Sequence, residues 1–216
     1  MITDAERHTG SKWLTDMVSG SLGINNLWKY NWKHWFPEWD KIENTDTSST
    51  LFIVLSRDPY EWVAAMNQTP HHAVPRLKGL DIDTFIKEEW ECEWTQRDVP
   101  WIDESLNFTE MMNERNPDTG ERIKNVIELR NYKNREFLLL KEKVEHVYYV
   151  RYEDMLISPV KIINEMILNY PVRPIRPINP QAKKAQQRNL TPYAIQFIND
   201  NINWDYEKEL GYKKNR

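Results

Sequence analysis

The 216-residue chain has a single cysteine, Cys92, only six glycines and no long apolar run. One cysteine excludes an intramolecular disulfide and a cysteine-rich zinc site, and it is compatible with a reducing compartment. No metal is called for. The strongest apolar stretch, Leu51 to Leu55, is strand-sized, which excludes a membrane span. The N-terminus turns polar at Thr3 and offers no signal-peptide core, so the expectation is a soluble, cytoplasmic protein. A basic excess is missing too. With 29 Lys and Arg against 33 Asp and Glu, the net charge of −4 argues against a general nucleic-acid binder. Tryptophan is abundant instead, at ten residues, and Trp28, Trp32, Trp35 and Trp39 fall in one short stretch. Such a cluster is either core or a wall on which a ring-shaped ligand stacks.

The length suits one α/β domain spanning 1–216. Thr50–Ser56 and His146–Val150 read as buried strands, short and rich in β-branched or aromatic residues. A weaker strand is expected over Ile2–Glu6. Helical spacing predicts helices over Ser11–Val18, Tyr60–Asn67, Glu121–Leu140 and Pro159–Leu168. Ser158-Pro159 and Thr191-Pro192 read as N-caps followed by first-turn prolines, and Gly211 as a stop after Asp205–Leu210. Strands separated by long helical crossovers imply a parallel central sheet flanked by helices. The acidic stretch Glu88–Glu110 reads as an insertion or mobile cover.

Three segments carry chemistry. Glu6-Arg-His-Thr-Gly-Ser-Lys-Trp-Leu14 runs from the weak strand through Gly10 into a helix. That geometry gathers backbone N–H groups and the positive helix end around a phosphate, with Thr9 and Ser11 adding hydroxyls and Lys12 a cation. The GxxxxGK[ST] pattern of nucleoside-triphosphate binders is absent. Ser56-Arg-Asp-Pro-Tyr60 places the Arg57 fork at the carboxyl end of the best strand, where ligands of open α/β sheets bind. Trp32-Lys-His-Trp-Phe-Pro37 surrounds His34 with aromatics and sets Lys33 beside it, a setting for proton transfer near neutral pH. Residues 166–199 hold five cations, among them Lys183, Lys184 and Arg188.

 No acid lies anywhere between Met166 and Asn199, so this stretch forms a local positive field suited to a second phosphate. Prolines 171, 174, 177 and 180 predict that its first half is extended.

In order along the chain, these segments resemble the sulfotransferases that use 3′-phosphoadenosine 5′-phosphosulfate (PAPS). The family's 5′-phosphosulfate loop reads K-S-G-T-T-W or R-H-S-G-T-N-W-L, and here it is Arg7-His-Thr-Gly-Ser-Lys-Trp-Leu14. Its 3′-phosphate signature is similar to Arg57-Asp-Pro-Tyr60. Its histidine base lies in a K-x-H-x-P-like segment, similar to Lys33-His34 with Pro37. Its later Y-E-D-M/L segment is matched by Arg151-Tyr-Glu-Asp-Met155, and the tail Asp205–Tyr212 resembles the family's ending. The resemblance implies a P-loop NTPase-like sulfotransferase fold and PAPS as cofactor, with 3′,5′-ADP as product. Arg7, His8, Thr9, Gly10, Ser11 and Lys12 would hold the 5′-phosphosulfate. Trp13 would stack on adenine with Tyr152 nearby, and Arg57 would take the 3′-phosphate. Lys183, Lys184 and Arg188 would replace the family's C-terminal R-K-G contact. His34 would accept the proton of a hydroxyl or amine on a small-molecule or glycan acceptor.

The chain departs from the family pattern at two places. The loop lysine is His8, which leaves the cationic role to Lys12 or Lys33, and the serine expected after Arg57 is Ala65. Two other readings remain: a catalytically impaired nucleotide- or glycan-binding module on the same fold, and a P-loop kinase.

Overall fold

The computed structural model describes residues 1–24, 32–97, 99, 101–175 and 188–214. Its first elements are β1 (Ile2–Ala5), α1 (Ser11–Leu22), α2 (Trp39–Glu43), β2 (Phe52–Ser56), α3 (Pro59–Gln68) and α4 (Ile82–Phe85). Then come α5 (Val126–Lys143), β3 (Val147–Arg151), α6 (Tyr152–Ile157), α7 (Pro159–Asn169), α8 (Pro192–Asn201) and α9 (Trp204–Glu209). The chain divides into two compact units. The first holds Met1–Asp58, Glu136–Gln187 and Glu209–Gly211; the second holds Pro59–Arg135, Arg188–Lys208 and Tyr212–Arg216.

The first unit is built on a parallel sheet in the order β1-β2-β3. Period-two alternation sorts its residues onto two faces. Ala5, Ile53, Leu55 and Val150 join Leu14, Val18, Ile163 and Met166 in one core, so α1 and α7 cover that face. Ile2, Phe52 and Val54 join Ile42, Phe137 and Leu140 in the other, covered by α2 and the end of α5. The result is an α/β sheet flanked by helices. β2 is buried along its whole length, as its composition predicts. β3 is only half-buried, which corrects the expectation of full burial. It ends the sheet, and its tyrosine hydroxyls donate to the covering helices, Tyr148 to Glu165 at 2.5 Å and Tyr149 to the Phe137 carbonyl at 2.9 Å.

The second unit packs around the fully buried Trp62, Trp90 and Phe85. α3, α4 and α8 contact one another, and Tyr60 donates to Asn199 at 2.5 Å. Glu88–Glu110 is tied in by antiparallel bridges, Ala73 with Cys92 and Trp90 with Ile123. It is therefore a folded part of this unit, with Trp90 in its core. The caps divide. Thr191 Oγ1 accepts from the Ala194 N–H at 3.0 Å, as expected of an N-cap, whereas Ser158 precedes α7 without making a side-chain cap bond. Gly211 is left-handed (φ 87°) and the Tyr212 N–H returns to the Glu207 carbonyl at 2.8 Å, a helix stop of the expected kind.

Candidate functional site

The turn between β1 and α1 is the centre of the candidate site. His8 (φ 61°) and Gly10 (φ 83°) both take the left-handed conformation, and Thr9 Oγ1 donates to the Glu6 carbonyl at 2.7 Å. Gly10 occupies a place where a side chain has no room. A Cβ there would lie 2.8 Å from Cε2 of Tyr152, on a backbone that L-residues rarely adopt. The first intrahelical bond of α1 runs from the Leu14 N–H to the Gly10 carbonyl at 3.1 Å. The N–H groups before it precede the helical ladder, and the first turn of α1 carries no acid to offset the positive end of the helix.

Arg57 sits at the end of β2 and reaches this turn. Its Nη1 donates to the His8 carbonyl at 2.9 Å, and its guanidinium carbon lies 4.9 Å from the centre of the Tyr152 ring. The sequence places Arg57, the turn and Tyr152 together, and the structure does so too. The arginine is buried and engaged with the turn itself. The His8 carbonyl takes one N–H of the guanidinium fork, so a phosphate here would share the arginine with the turn. Nearby, the Asp58 N–H donates to Glu153 Oε1 at 2.9 Å. That link between the two Arg-acid strand ends is visible in the sequence only as a repeated pattern.

His34 is buried beside the last residue of β1. The Ala5 N–H donates to the Lys33 carbonyl at 2.8 Å, and His34 Nδ1 lies 2.8 Å from the Ala5 carbonyl. A carbonyl only accepts, so Nδ1 carries a hydrogen, and in the neutral ring the lone pair lies on Nε2. Trp32 meets the imidazole edge-on at 4.8 Å, and the Trp35 ring in turn meets that of Trp32 at 5.9 Å. Burial, reinforced by the charges of Lys12 and Arg7, holds the Lys33 ammonium below its usual pKa, with Asp16 opposing. Lys12 and Arg7 are thus near enough to Lys33 for their charges to act on it.

The remaining expected residues are placed less directly. Lys12 is 85% exposed and pairs with Asp16 at 3.3 Å, one helical turn on, rather than folding back over the turn. Thr9 and Ser11 are buried within it. Trp13 packs, half-buried, against the core beneath α1. Arg188 belongs to the second unit, where its Nε donates to Gln68 Oε1 at 3.0 Å. Ala65 is buried in α3. Lys183, Lys184 and Trp28 lie outside the described residues. Among the described residues no group of three or more His, Cys, Asp or Glu is arranged to hold a metal ion, and no helix is long and apolar enough to cross a membrane.

No protein-family profile, no curated protein and no solved structure matches this chain.

Proposed function

We propose that the first unit is a sulfotransferase domain that uses PAPS, on a P-loop-like scaffold. The observation that carries the reading is a glycine-tight helix start with no acid in its first turn, with Arg57 bonded to the His8 carbonyl and Lys33 within reach of the charges of Arg7 and Lys12. PAPS would supply the sulfuryl group to the acceptor oxygen or nitrogen, with 3′,5′-ADP as the other product. The N–H groups at the start of α1 bind the 5′-phosphosulfate, and Gly10 allows the backbone to approach it. Lys33 meets the charge that develops on the leaving phosphate, as cations do in the analogous phosphoryl transfers. The Nε2 atom of His34 takes the proton from the acceptor hydroxyl or amine, and the Nδ1–H bond to Ala5 holds the ring in that orientation.

The experiment is calorimetry with 3′,5′-ADP and 5′-AMP. The expected result is tighter binding of 3′,5′-ADP, with the gap narrowed in Arg57→Ala. Equal affinities for the two ligands sink the reading. His34→Ala is expected to lower turnover about 10²–10⁴-fold while leaving 3′,5′-ADP affinity unchanged.

A second reading is favoured by the engagement of Arg57 with His8 and by Ala65. In it the same unit binds a nucleotide or glycan without catalysis. Nucleotide binding with no transfer to any of a panel of phenol, amine and sugar acceptors supports that alternative.

A further inference from the structure

Arg188 lines a cavity that the nucleotide reading does not use. The cavity measures about 220 Å³ and lies wholly within the second unit, where α3 and α4 meet the segment that leads into α8. Its polar lining is Arg188, Asn67, Gln68 and Asn189, and its apolar lining is Ala64, Ile82 and Leu190. Two contacts fix the polar side. Gln68 Oε1 accepts from Arg188 Nε at 3.0 Å, which orients the guanidinium fork. Asn67 Nδ2 donates to the Leu80 carbonyl at 2.9 Å, which orients that amide with Oδ1 as its acceptor. Just beyond, Thr191 Oγ1 donates to Asp83 Oδ1 and accepts from the Ala194 N–H, so the segment is anchored to both α4 and α8.

Size and charge select the ligand. Sites for drug-sized ligands and cofactors measure about 300–1,000 Å³. At ~30 Å³ per water, this cavity holds the equivalent of roughly seven waters. That is room for a molecule of about as many non-hydrogen atoms, and too little for an adenine nucleotide. The described lining carries one cation, Arg188, and no acid, which matches a monoanion. A phosphate group, with a charge of about −1.5 to −2 at neutral pH, calls for more than one cation. A planar carboxylate instead takes two parallel N–H bonds from a single guanidinium fork. The amides of Asn67 and Asn189 offer neutral hydrogen bonds to a hydroxyl, and the three aliphatic side chains suit a short hydrocarbon body.

We infer that this cavity binds a small hydroxylated carboxylate, with Arg188 on the carboxylate and Asn67 on the hydroxyl. The inference stands apart from the nucleotide reading and gives Arg188 a ligand other than a nucleotide phosphate. The test titrates the full chain with lactate and glycerate and follows the Arg188 Nε–H and the backbone amides of Arg188 to Leu190 by NMR. The expected result is a saturable shift of these signals. Lactamide, which has the shape of lactate without its charge, should leave them in place, and propionate, which lacks the hydroxyl, should bind severalfold more weakly. Lactate affinity should fall at least tenfold in R188M, where the charge-assisted bonds are lost, and in I82F, which fills the cavity and leaves the arginine. R188K keeps the charge but not the fork; it should lose affinity severalfold, and it carries the test if R188M does not fold. The affinity for 3′,5′-ADP should be unchanged in each variant. Absence of binding by both acids overturns the inference, as does equal binding by lactamide or by the folded Arg188 variants. It is overturned equally by inorganic phosphate binding more tightly than either acid, or by loss of 3′,5′-ADP affinity in R188K, which would make Arg188 a nucleotide contact.

Discussion

Lys33 is held below its usual pKa chiefly by burial and then by its neighbours Lys12 and Arg7. Between the lowered value and the ordinary 10.5, the unfolded chain binds more protons than the folded one. The cost to folding is therefore fully present below the folded pKa and fades as pH rises toward 10.5. Lys33→Met should raise Tm at pH 7, and its advantage over wild type should shrink in melts taken toward that value. Under the proposed function, the phosphates of 3′,5′-ADP would offset the repulsion from Lys12 and Arg7, so a saturating concentration should also narrow the advantage. A Tm for Lys33→Met at or below wild type at pH 7 contradicts this account of the residue. His34 teaches a related lesson at the same scale. Its surroundings mark it out in the sequence, but the bond from Nδ1 to Ala5, which decides what the ring does, depends on how residues 32–36 lie beside β1.

At the scale of elements, two serine/threonine-proline starts separate appearance from function. Thr191 makes its cap bond and Ser158 does not. Thr191→Ala should cost about 1 kcal/mol in chemical denaturation, whereas Ser158→Ala should stay within about 0.5 kcal/mol. Equal losses would mean that the hydroxyl at Ser158 has another role. The sheet was legible because residues 50–56 and 146–150 have no helical period and lie at the ends of long helical crossovers. β1 was legible only faintly, being four residues long with Thr3 and Asp4 inside it. The position of Arg57 at the end of β2 could be read, but its engagement with His8 could not. Sequence gives the end of a strand and leaves the course of a flexible side chain open.

Across the whole molecule, the charges least visible in the sequence are the buried ones. In the second unit Arg130 donates from Nε to Glu207 Oε1 at 2.5 Å and from Nη2 to Oε2 at 2.9 Å, while Asn134 donates to Oε1 at 2.8 Å. Lys133, also buried, pairs with Glu114 at 3.4 Å, and the Cys92 thiol donates to that carboxylate at 2.8 Å. By spacing alone Arg130 and Lys133 read as solvated positions on a charged helix, because their partners lie far away in the chain. Glu207→Gln leaves a buried guanidinium uncompensated and should cost about 3–5 kcal/mol in urea unfolding. A loss under about 1 kcal/mol would mean that water reaches the pair.

The same ion pair sets a clock on the nascent chain. Arg130 is synthesised 77 residues before Glu207. At about 5–20 residues per second, the ribosome takes on the order of 4–15 s to deliver the carboxylate. Until then the guanidinium has to remain hydrated, so the start of α5 cannot settle beneath Trp62, over whose ring Arg130 finally lies at 5.1 Å. The second unit therefore cannot complete its interior until Glu207 has been made, and its apolar surface stays open for that interval.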